Sequence, residues 1–249
     1  MHSLSGLFLL LALGLSYEAK ADQVLVAVAS NFADVVKDLA PKFQAETGHT
    51  LKASFGASGK FAAQIENGAP FDLFLSADAD LPRMLEERGL GVKKTRFVYA
   101  TGKLALWNPT RGYVDAKGEV LKKNRFARIA IANPKTAPYG RAAVETMRKL
   151  GIGALVGPKI VQGENVAQTF QFVETGNAEL GFIAMSQVLA LDDAKRGSYW
   201  EVPAALHSVI SQDAILLKRG QDNPGATAFM KFLRSPAAKS IIIRYGYGV

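Results

Sequence analysis

Four turns of this chain place small or polar residues between the end of a strand pattern and the start of a helix pattern. They are Ser30-Asn31, "GASGK" at residues 56–60, "NPKTAPYGRAA" at residues 133–143 and "QGENVAQ" at residues 162–168. In open α/β sheets, ligands bind outside the carboxyl ends of the strands, where such turns lie. Helix N-termini at these turns offer free N–H groups and about half a unit of positive charge each. Four such ends in one cleft would form an uncharged, donor-rich site for an anion.

Each of these turns also has a purely structural interpretation. Ser30 or Asn31 could be the N-cap of the helix that begins near Phe32, because both residue types are strong N-caps. Ser58 could simply occupy a glycine-rich turn, and Tyr139 could be a packed loop aromatic. The anion hypothesis therefore depends on the recurrence of one design in four turns.

The sequence gives little support for catalysis. Ser58 lies in Gly-Ala-Ser-Gly-Lys, which does not have the spacing of the G-x-S-x-G nucleophile elbow. Lys60 is followed by Phe61, where a phosphate-binding loop requires Ser or Thr. An exported hydrolase that uses Ser58 would need a base within hydrogen-bond reach. We therefore expect a binding protein and no enzyme, and we expect no cofactor.

Candidate metal ligands are scattered. His49 and His207 are the only histidines after the N-terminal segment, and neither has the spacing of a metal ligand. Two acidic pairs could bind a cation, but such pairs are more typical of helix caps and solvated faces. These pairs are Asp78/Asp80 and Asp192/Asp193.

The N-terminal residues have the pattern of a secretory leader. Residues 7–15 form an apolar run, and Ala19-Lys20-Ala21 is a small-x-small cleavage motif. The run is too short to span a bilayer comfortably. We expect residues 1–21 to be a cleaved signal peptide and the mature chain to begin near Asp22, outside the cytoplasm.

The composition of the remaining chain limits its class. Roughly 230 residues are enough for two small lobes, and the absence of cysteine means that no disulfide supports the exported fold. The formal net charge is +8. Removal of the leader leaves this value unchanged, because the leader contains one acidic and one basic residue. Without an aromatic stripe among the basic residues, nucleic-acid binding is disfavoured.

Strand and helix patterns alternate along the chain. The strand "QVLVAVA" at residues 23–29 precedes an amphipathic helix from Phe32 to Thr47, which Gly48 ends. Such alternation predicts an α/β fold with a mainly parallel, doubly wound sheet. The extended run "RFVYATGKLALW" at residues 96–107 has no helix attached, so we expect it to cross between two lobes. The strand-like segment "HSVISQDAILLK" at residues 207–218 would cross back.

Several segments resemble the periplasmic molybdate-binding proteins of ABC importers, the ModA type. They include "VAVASNF", "QIENGAPFDLFLSAD", "ENVAQTFQFVETGNAELGFIAMSQ" and the terminal "RYGYGV". The resemblance implies a two-lobed class II periplasmic binding protein with the ligand cleft between its lobes. Lobe 1 would comprise residues 22–102 plus 209–249, and lobe 2 would comprise residues 103–208. It further implies a periplasmic monomer whose partner is a membrane permease.

The resemblance also implies which residues hold the oxyanion. Transferred position by position, they are Ser30, Asn31, Ser58, Tyr139 and the backbone N–H of Val166. Many family members have a tyrosine donor at the position that is Ala184 here. This chain instead has Tyr139 in its A-P-x-G loop, and either the hydroxyl or the backbone N–H of Tyr139 could be the donor. Molybdenum would then be present only as bound molybdate.

The predicted donor set suggests how a ligand would be chosen. Phosphate largely keeps a proton at neutral pH, and a site without a carboxylate leaves that proton unpaired, at a cost of about 1 to 3 kcal/mol. Sulfate is a bare dianion, so only the size of the cavity can exclude it. Molybdate and tungstate carry no proton at neutral pH and are larger than sulfate, so both ions meet the requirements of charge and size. The alternative is a binder of the same fold for another small oxyanion, such as sulfate or phosphate.

Overall fold

The computed structural model describes residues 21–249, so the predicted leader lies almost wholly outside the described residues. The strands of this part are β1 (Gln23–Ala29), β2 (Thr50–Gly56), β3 (Leu73–Leu75), β4 (Phe97–Gly102), β5 (Leu104–Asn108), β6 (Ile129–Ala132), β7 (Ile160–Gly163), β8 (Leu180–Ala184), β9 (Ser198–Glu201) and β10 (Ile210–Leu216). The helices are α1 (Ala33–Thr47), α2 (Ser58–Glu66), α3 (Asp80–Glu87), α4 (Val120–Lys123), α5 (Pro138–Lys149), α6 (Gly153–Val156), α7 (Val166–Glu174), α8 (Met185–Leu189), α9 (Pro224–Phe232) and α10 (Pro236–Arg244). Across residues 21–249, none of the helices has the length and apolar character needed to cross a membrane.

The strands form two five-stranded sheets. Their orders are β2-β1-β3-β10-β4 and β7-β6-β8-β5-β9. We call the first sheet with its helices α1–α3, α9 and α10 the first lobe, and the second sheet with α4–α8 the second lobe. Each lobe has a buried apolar cluster, and the cluster of the second lobe extends across the cleft to Ala29, Ala57 and Ala77 of the first.

Both sheets are mixed, whereas the sequence pattern predicted mainly parallel pairing. In the first lobe, β1 runs parallel to β2 and β3, but β10 runs antiparallel to β3 and β4. In the second lobe, β6 runs parallel to β7 and β8, but β5 runs antiparallel to β8 and β9. The antiparallel strands β5 and β10 enter directly from the other lobe. They therefore have no helical crossover, which a parallel neighbour would require.

The chain passes between the lobes twice. The predicted extended run 96–107 consists of β4 in the first lobe and β5 in the second, with only Lys103 between them. The return occurs between β9 and β10. The cleft between the two sheets is therefore bordered by two short connections.

Helix α1 is an example of an element that local sequence fixes. Its buried face consists of Val35, Val36, Leu39 and Phe43, at the spacing of one helical stripe. Gly48 then takes a left-handed φ of 76°, and its N–H donates to the carbonyl of Gln44. The helix thus ends where the sequence predicted. Glycine is suited to this position because it adopts a left-handed conformation without a steric penalty.

The buried carboxylate of Asp72 joins three segments of the first lobe. One oxygen accepts the Leu25 N–H at 2.8 Å and the Asn223 side-chain amide at 3.2 Å. The other oxygen pairs with the Arg219 guanidinium at 2.9 Å. Asp72 thus connects the first strand to the loop before α9, which explains structurally why an aspartate begins the segment "DLFL".

Replacing Asp72 with alanine should lower the free energy of unfolding by about 2 to 4 kcal/mol, because the Leu25 N–H and Arg219 would lose a buried partner. Urea denaturation followed by circular dichroism would measure the loss. Asp80→Ala is the matched control, since its carboxylate pairs with Arg83 in solvent and such pairs contribute less than about 1 kcal/mol. Equal losses for the two variants would contradict the anchoring role of Asp72.

Candidate functional site

A small cavity lies between the lobes, beyond the ends of β1, β2, β6 and β7. Its lining contains all five residues singled out from the sequence, and each of them is at most 6% exposed: Ser30, Asn31, Ser58, Tyr139 and Val166. Among residues 21–249, no charged side chain lines this cavity. The structure therefore brings the four predicted turns together around one neutral space.

The helix ends at this cavity are largely uncapped. The residues in the N-cap position before the 3₁₀ turn Ser30–Phe32, before α2 and before α5 are all alanines, and none makes a side-chain cap: Ala29, Ala57 and Ala137. Alanine has no acceptor for the first N–H groups of a helix, which have no partner within the helix either.

Ser30 and Ser58 are consequently not N-caps. Each is the first residue inside its helical turn, one position after the alanine. The structural interpretation of Ser30 or Asn31 as the N-cap is therefore wrong. Among the helical turns of residues 21–249 that begin at this cavity, α7 alone has a side-chain N-cap, because Asn165 accepts the Gln168 N–H at 3.0 Å.

The cavity is lined by residues whose backbone N–H groups are available as donors. Within the described part of the chain, the N–H groups of Asn31, Ser58, Tyr139 and Val166 donate to no turn, loop or cap acceptor. Two of these residues belong to the first lobe and two to the second. A buried N–H without a partner is unfavourable, so a ligand with several acceptor oxygens fits this arrangement.

Two serine hydroxyls can add to these donors. The oxygen of Ser58 accepts the Ala77 N–H at 2.9 Å, which leaves its hydrogen free to donate. The hydroxyl of Ser30 has no hydrogen-bond partner among residues 21–249, although it lines the same cavity. Both serines can therefore donate to a bound acceptor.

The side chains of Asn31 and Tyr139 have other partners. The Asn31 amide donates to the Gln212 side-chain oxygen at 2.8 Å and to the Tyr247 hydroxyl at 2.9 Å. The Tyr139 hydroxyl accepts a bond from the Gln212 amide at 3.3 Å. The backbone N–H of Tyr139 has no turn, loop or cap acceptor among residues 21–249, whereas its hydroxyl lies in the neighbouring network with Gln212 and Tyr247. Ala184 is fully buried and is not part of the lining.

A buried network of tyrosines lies beside the site. Burial raises the pKa of Tyr99 and of Tyr139 well above the usual value, and it raises the pKa of Tyr247 to about 12. Their hydroxyls therefore stay protonated at neutral pH and remain hydrogen-bond donors. Sequence reasoning missed this network, although Gln212 lies between two other polar residues, Ser211 and Asp213, in strand β10 and Tyr247 lies in the terminal motif.

Charged residues meet across the mouth of the cleft rather than in the cavity. Lys60 of α2 pairs with Glu164, and Arg141 of α5 pairs with Asp78 at 2.7 Å. The Gly59 N–H also donates to the Thr136 carbonyl at 2.9 Å. These contacts join the two lobes around the cavity.

The other sequence candidates have structural partners. Asp78 accepts the Leu81 N–H at 3.0 Å and so caps the start of α3. His49 accepts the Asp22 N–H at 3.1 Å, and the ring of His207 lies against the Ser208 carbonyl. Residues 21–249 contain no group of three or more His, Cys, Asp or Glu side chains that could hold a metal ion.

Comparison with known proteins agrees with the fold. The family described as "Bacterial extracellular solute-binding protein" matches residues 24–248. The chain is 50% identical over 248 residues to the molybdate-binding protein ModA of Azotobacter vinelandii, covering 99% of this chain and 98% of that protein. The chain belongs to the ModA family. It is also 46% identical over 239 residues to the ModA protein of Rhodobacter capsulatus, covering 96% of this chain and 93% of that protein.

A solved structure confirms the fold class. The periplasmic molybdate-binding protein of Azotobacter vinelandii superposes with a TM-score of 0.85 at 38% sequence identity, covering 91% of this chain and 99% of that chain. The predicted two-lobed binding-protein fold is therefore correct.

Proposed function

We propose that this protein captures molybdate outside the cytoplasm and delivers it to the membrane permease of an ABC importer. The observation that carries the proposal is the meeting of four helix N-termini, two from each lobe, around one neutral cavity. The relatives named as molybdate-binding proteins support the choice of anion. Tungstate, which has the same charge and nearly the same size, would bind similarly.

The proposed site would hold the dianion by hydrogen bonds alone. The donors are the backbone N–H groups of Asn31, Ser58, Tyr139 and Val166, together with the hydroxyls of Ser30 and Ser58. Hydrogen bonds to a charged group contribute about 1.5 to 3 kcal/mol each. Six of them offset the cost of ordering and closure and leave an affinity in the micromolar to nanomolar range.

Selectivity would follow from the same donor set. The lining offers no carboxylate to accept the proton that phosphate keeps at neutral pH, so phosphate binding leaves a buried polar hydrogen unpaired. Sulfate carries no proton, but its shorter bonds place its oxygens too far from donors that are fixed at helix ends. The cavity therefore selects by size against sulfate and by protonation against phosphate.

Delivery would depend on movement of the lobes. We place the moving bodies at residues 22–102 plus 209–249 and at residues 103–208, joined at the two connections between the sheets. Residues 1–21 would direct export and be removed. The mature monomer would carry out no chemical step, since its task is to bind, present and release the anion.

Calorimetric titration of the mature chain tests the proposal. The protein is first unfolded and refolded to remove bound anion, and it is then titrated with molybdate, tungstate, sulfate and phosphate. We expect one-to-one binding of the first two and no heat from the others. At a free molybdate concentration 1,000 times the Kd, the stability should rise by about 4 kcal/mol, which would appear as a higher Tm. Equal binding of sulfate, or no heat with molybdate, would overturn the proposed ligand.

A further inference from the structure

Three residues beside the cavity form a closed ring of hydrogen bonds. The Asn31 amide donates to the Tyr247 hydroxyl oxygen at 2.9 Å, and the Tyr247 hydroxyl donates to the Ser186 hydroxyl oxygen at 2.9 Å. The Ser186 hydroxyl then donates to the Asn31 carbonyl at 2.8 Å. Each hydroxyl donates once and accepts once, so the ring is complete.

The ring joins the two lobes. Asn31 follows β1, and Tyr247 is held in the first lobe because its neighbour Gly248 exchanges two backbone hydrogen bonds with Thr101 of β4. Ser186 lies in α8, directly after β8 of the second sheet. Separation of α8 from the first lobe would break the two bonds of Ser186 and leave the bond between Asn31 and Tyr247 intact.

Asn31 connects this ring to the anion site. It lines the cavity, where its backbone N–H has no other acceptor among residues 21–249. The carbonyl of the same residue accepts from Ser186. An anion that fixes the position of Asn31 therefore also fixes the Asn31 carbonyl, which accepts the hydrogen bond from Ser186 of the second lobe.

We propose that Ser186 and Tyr247 form a latch that holds the lobes closed over the anion and sets its residence time. The proposal rests on the proposed function and adds two positioning residues, which act through Asn31 and do not touch the ligand. Ser186 and Tyr247 are 3% and 5% exposed, so water does not compete for these bonds in the closed form.

Removal of the Ser186 hydroxyl isolates the contribution of the latch. In Ser186→Ala the Tyr247 hydroxyl can still donate to the Asn31 carbonyl, from which it lies 2.8 Å. The two bonds between Ser186 and the first lobe are lost and the one from Tyr247 to the Asn31 carbonyl is gained, which is a net loss of one hydrogen bond. We expect the rate constant for molybdate dissociation to rise about three- to tenfold, the effect of one neutral hydrogen bond, with little change in the association rate constant. The Tm of the anion-free protein should stay close to that of the wild type.

Tyr99→Phe is the matched control, because the Tyr99 hydroxyl is buried in the same network but bonds only within the first lobe. Its one hydrogen can be donated to either the Ser76 carbonyl or the Gln212 side-chain oxygen, and both acceptors lie 3.1 Å away. Its loss should lower the Tm of the anion-free protein and leave molybdate dissociation unchanged. The control thus separates a latch from a hydroxyl that only stabilises the fold.

Stopped-flow measurement of lobe closure provides the readout. Fluorescent labels can be attached at Gln64→Cys and Gln171→Cys, two exposed positions on different lobes, because the chain has no cysteine of its own. Tyr247→Phe should also speed dissociation. Because both residues act in one ring, the double variant with Ser186→Ala should release molybdate no faster than the faster single variant.

The outcomes distinguish the two proposals. If the wild type neither binds molybdate nor closes, the proposed function is wrong, and the latch proposal, which depends on it, is wrong as well. If the wild type binds and closes, but Ser186→Ala and Tyr247→Phe release the anion at the wild-type rate, the latch is overturned and the proposed function stands. Faster release by both variants, with Tyr99→Phe unchanged, supports the latch.

Discussion

Replacing Ser58 with aspartate is expected to abolish molybdate binding. Ser58 is 1% exposed and lines the cavity, so a carboxylate there would face a dianion with little screening by water. At about 4 Å and an effective dielectric constant of about 20, the repulsion amounts to roughly 8 kcal/mol. Even half of this value weakens binding by about a thousandfold. Calorimetric titration with molybdate would measure the loss.

Ser58→Asn is the control for this prediction. Asparagine has nearly the shape of aspartate and can still accept the Ala77 N–H that Ser58 accepts now, but it carries no charge. Any steric effect of the larger side chain is therefore common to both variants. We expect the asparagine variant to bind at least about a hundredfold more tightly than the aspartate variant. Similar affinities for the two would mean that the Ser58 side chain does not face the anion.

Local patterns were enough to predict much of the fold. The stripe of α1 and its end at Gly48 depend on residues within one helix. The four turns between strand and helix patterns are equally local, and the fold brings all of them to one cavity because parallel strands end at the same edge of a sheet. The edge strand β9 was not predicted, since four residues in a charged loop region give no clear alternation.

Other features of the site depend on contacts that no local pattern encodes. Whether Ser30 is an N-cap or the first residue of the turn is decided by a shift of one position, and residue type does not distinguish the two. The Asn31 side chain faces Gln212 and Tyr247, which follow it by 181 and 216 residues. The direction of β5 and β10 likewise follows from the passage between lobes, which the order of strands alone does not determine.

Gly140→Ala should damage both the second lobe and the anion site. Gly140 is the third residue of α5, and a Cβ there would lie 2.2 Å from the Ala132 carbonyl oxygen and 3.0 Å from the Asn133 carbonyl carbon. Both are backbone atoms at the end of β6, so the helix itself would have to move. Overpacking of this kind costs about 1 to 3 kcal/mol of stability. The displaced helix would also withdraw the Tyr139 N–H, which should weaken molybdate binding about 10- to 100-fold.

Gly157→Ala in the same lobe is the matched control. Gly157 has a φ of −47°, which alanine adopts without strain, and nothing lies within 4 Å of its Cβ position. We expect its stability to equal or exceed that of the wild type and its molybdate affinity to be unchanged. Urea denaturation and calorimetry on the two variants would separate the effects. If Gly140→Ala loses stability but binds molybdate as tightly as Gly157→Ala, the N-terminus of α5 does not hold the anion, and the donors from the second lobe reduce to Val166.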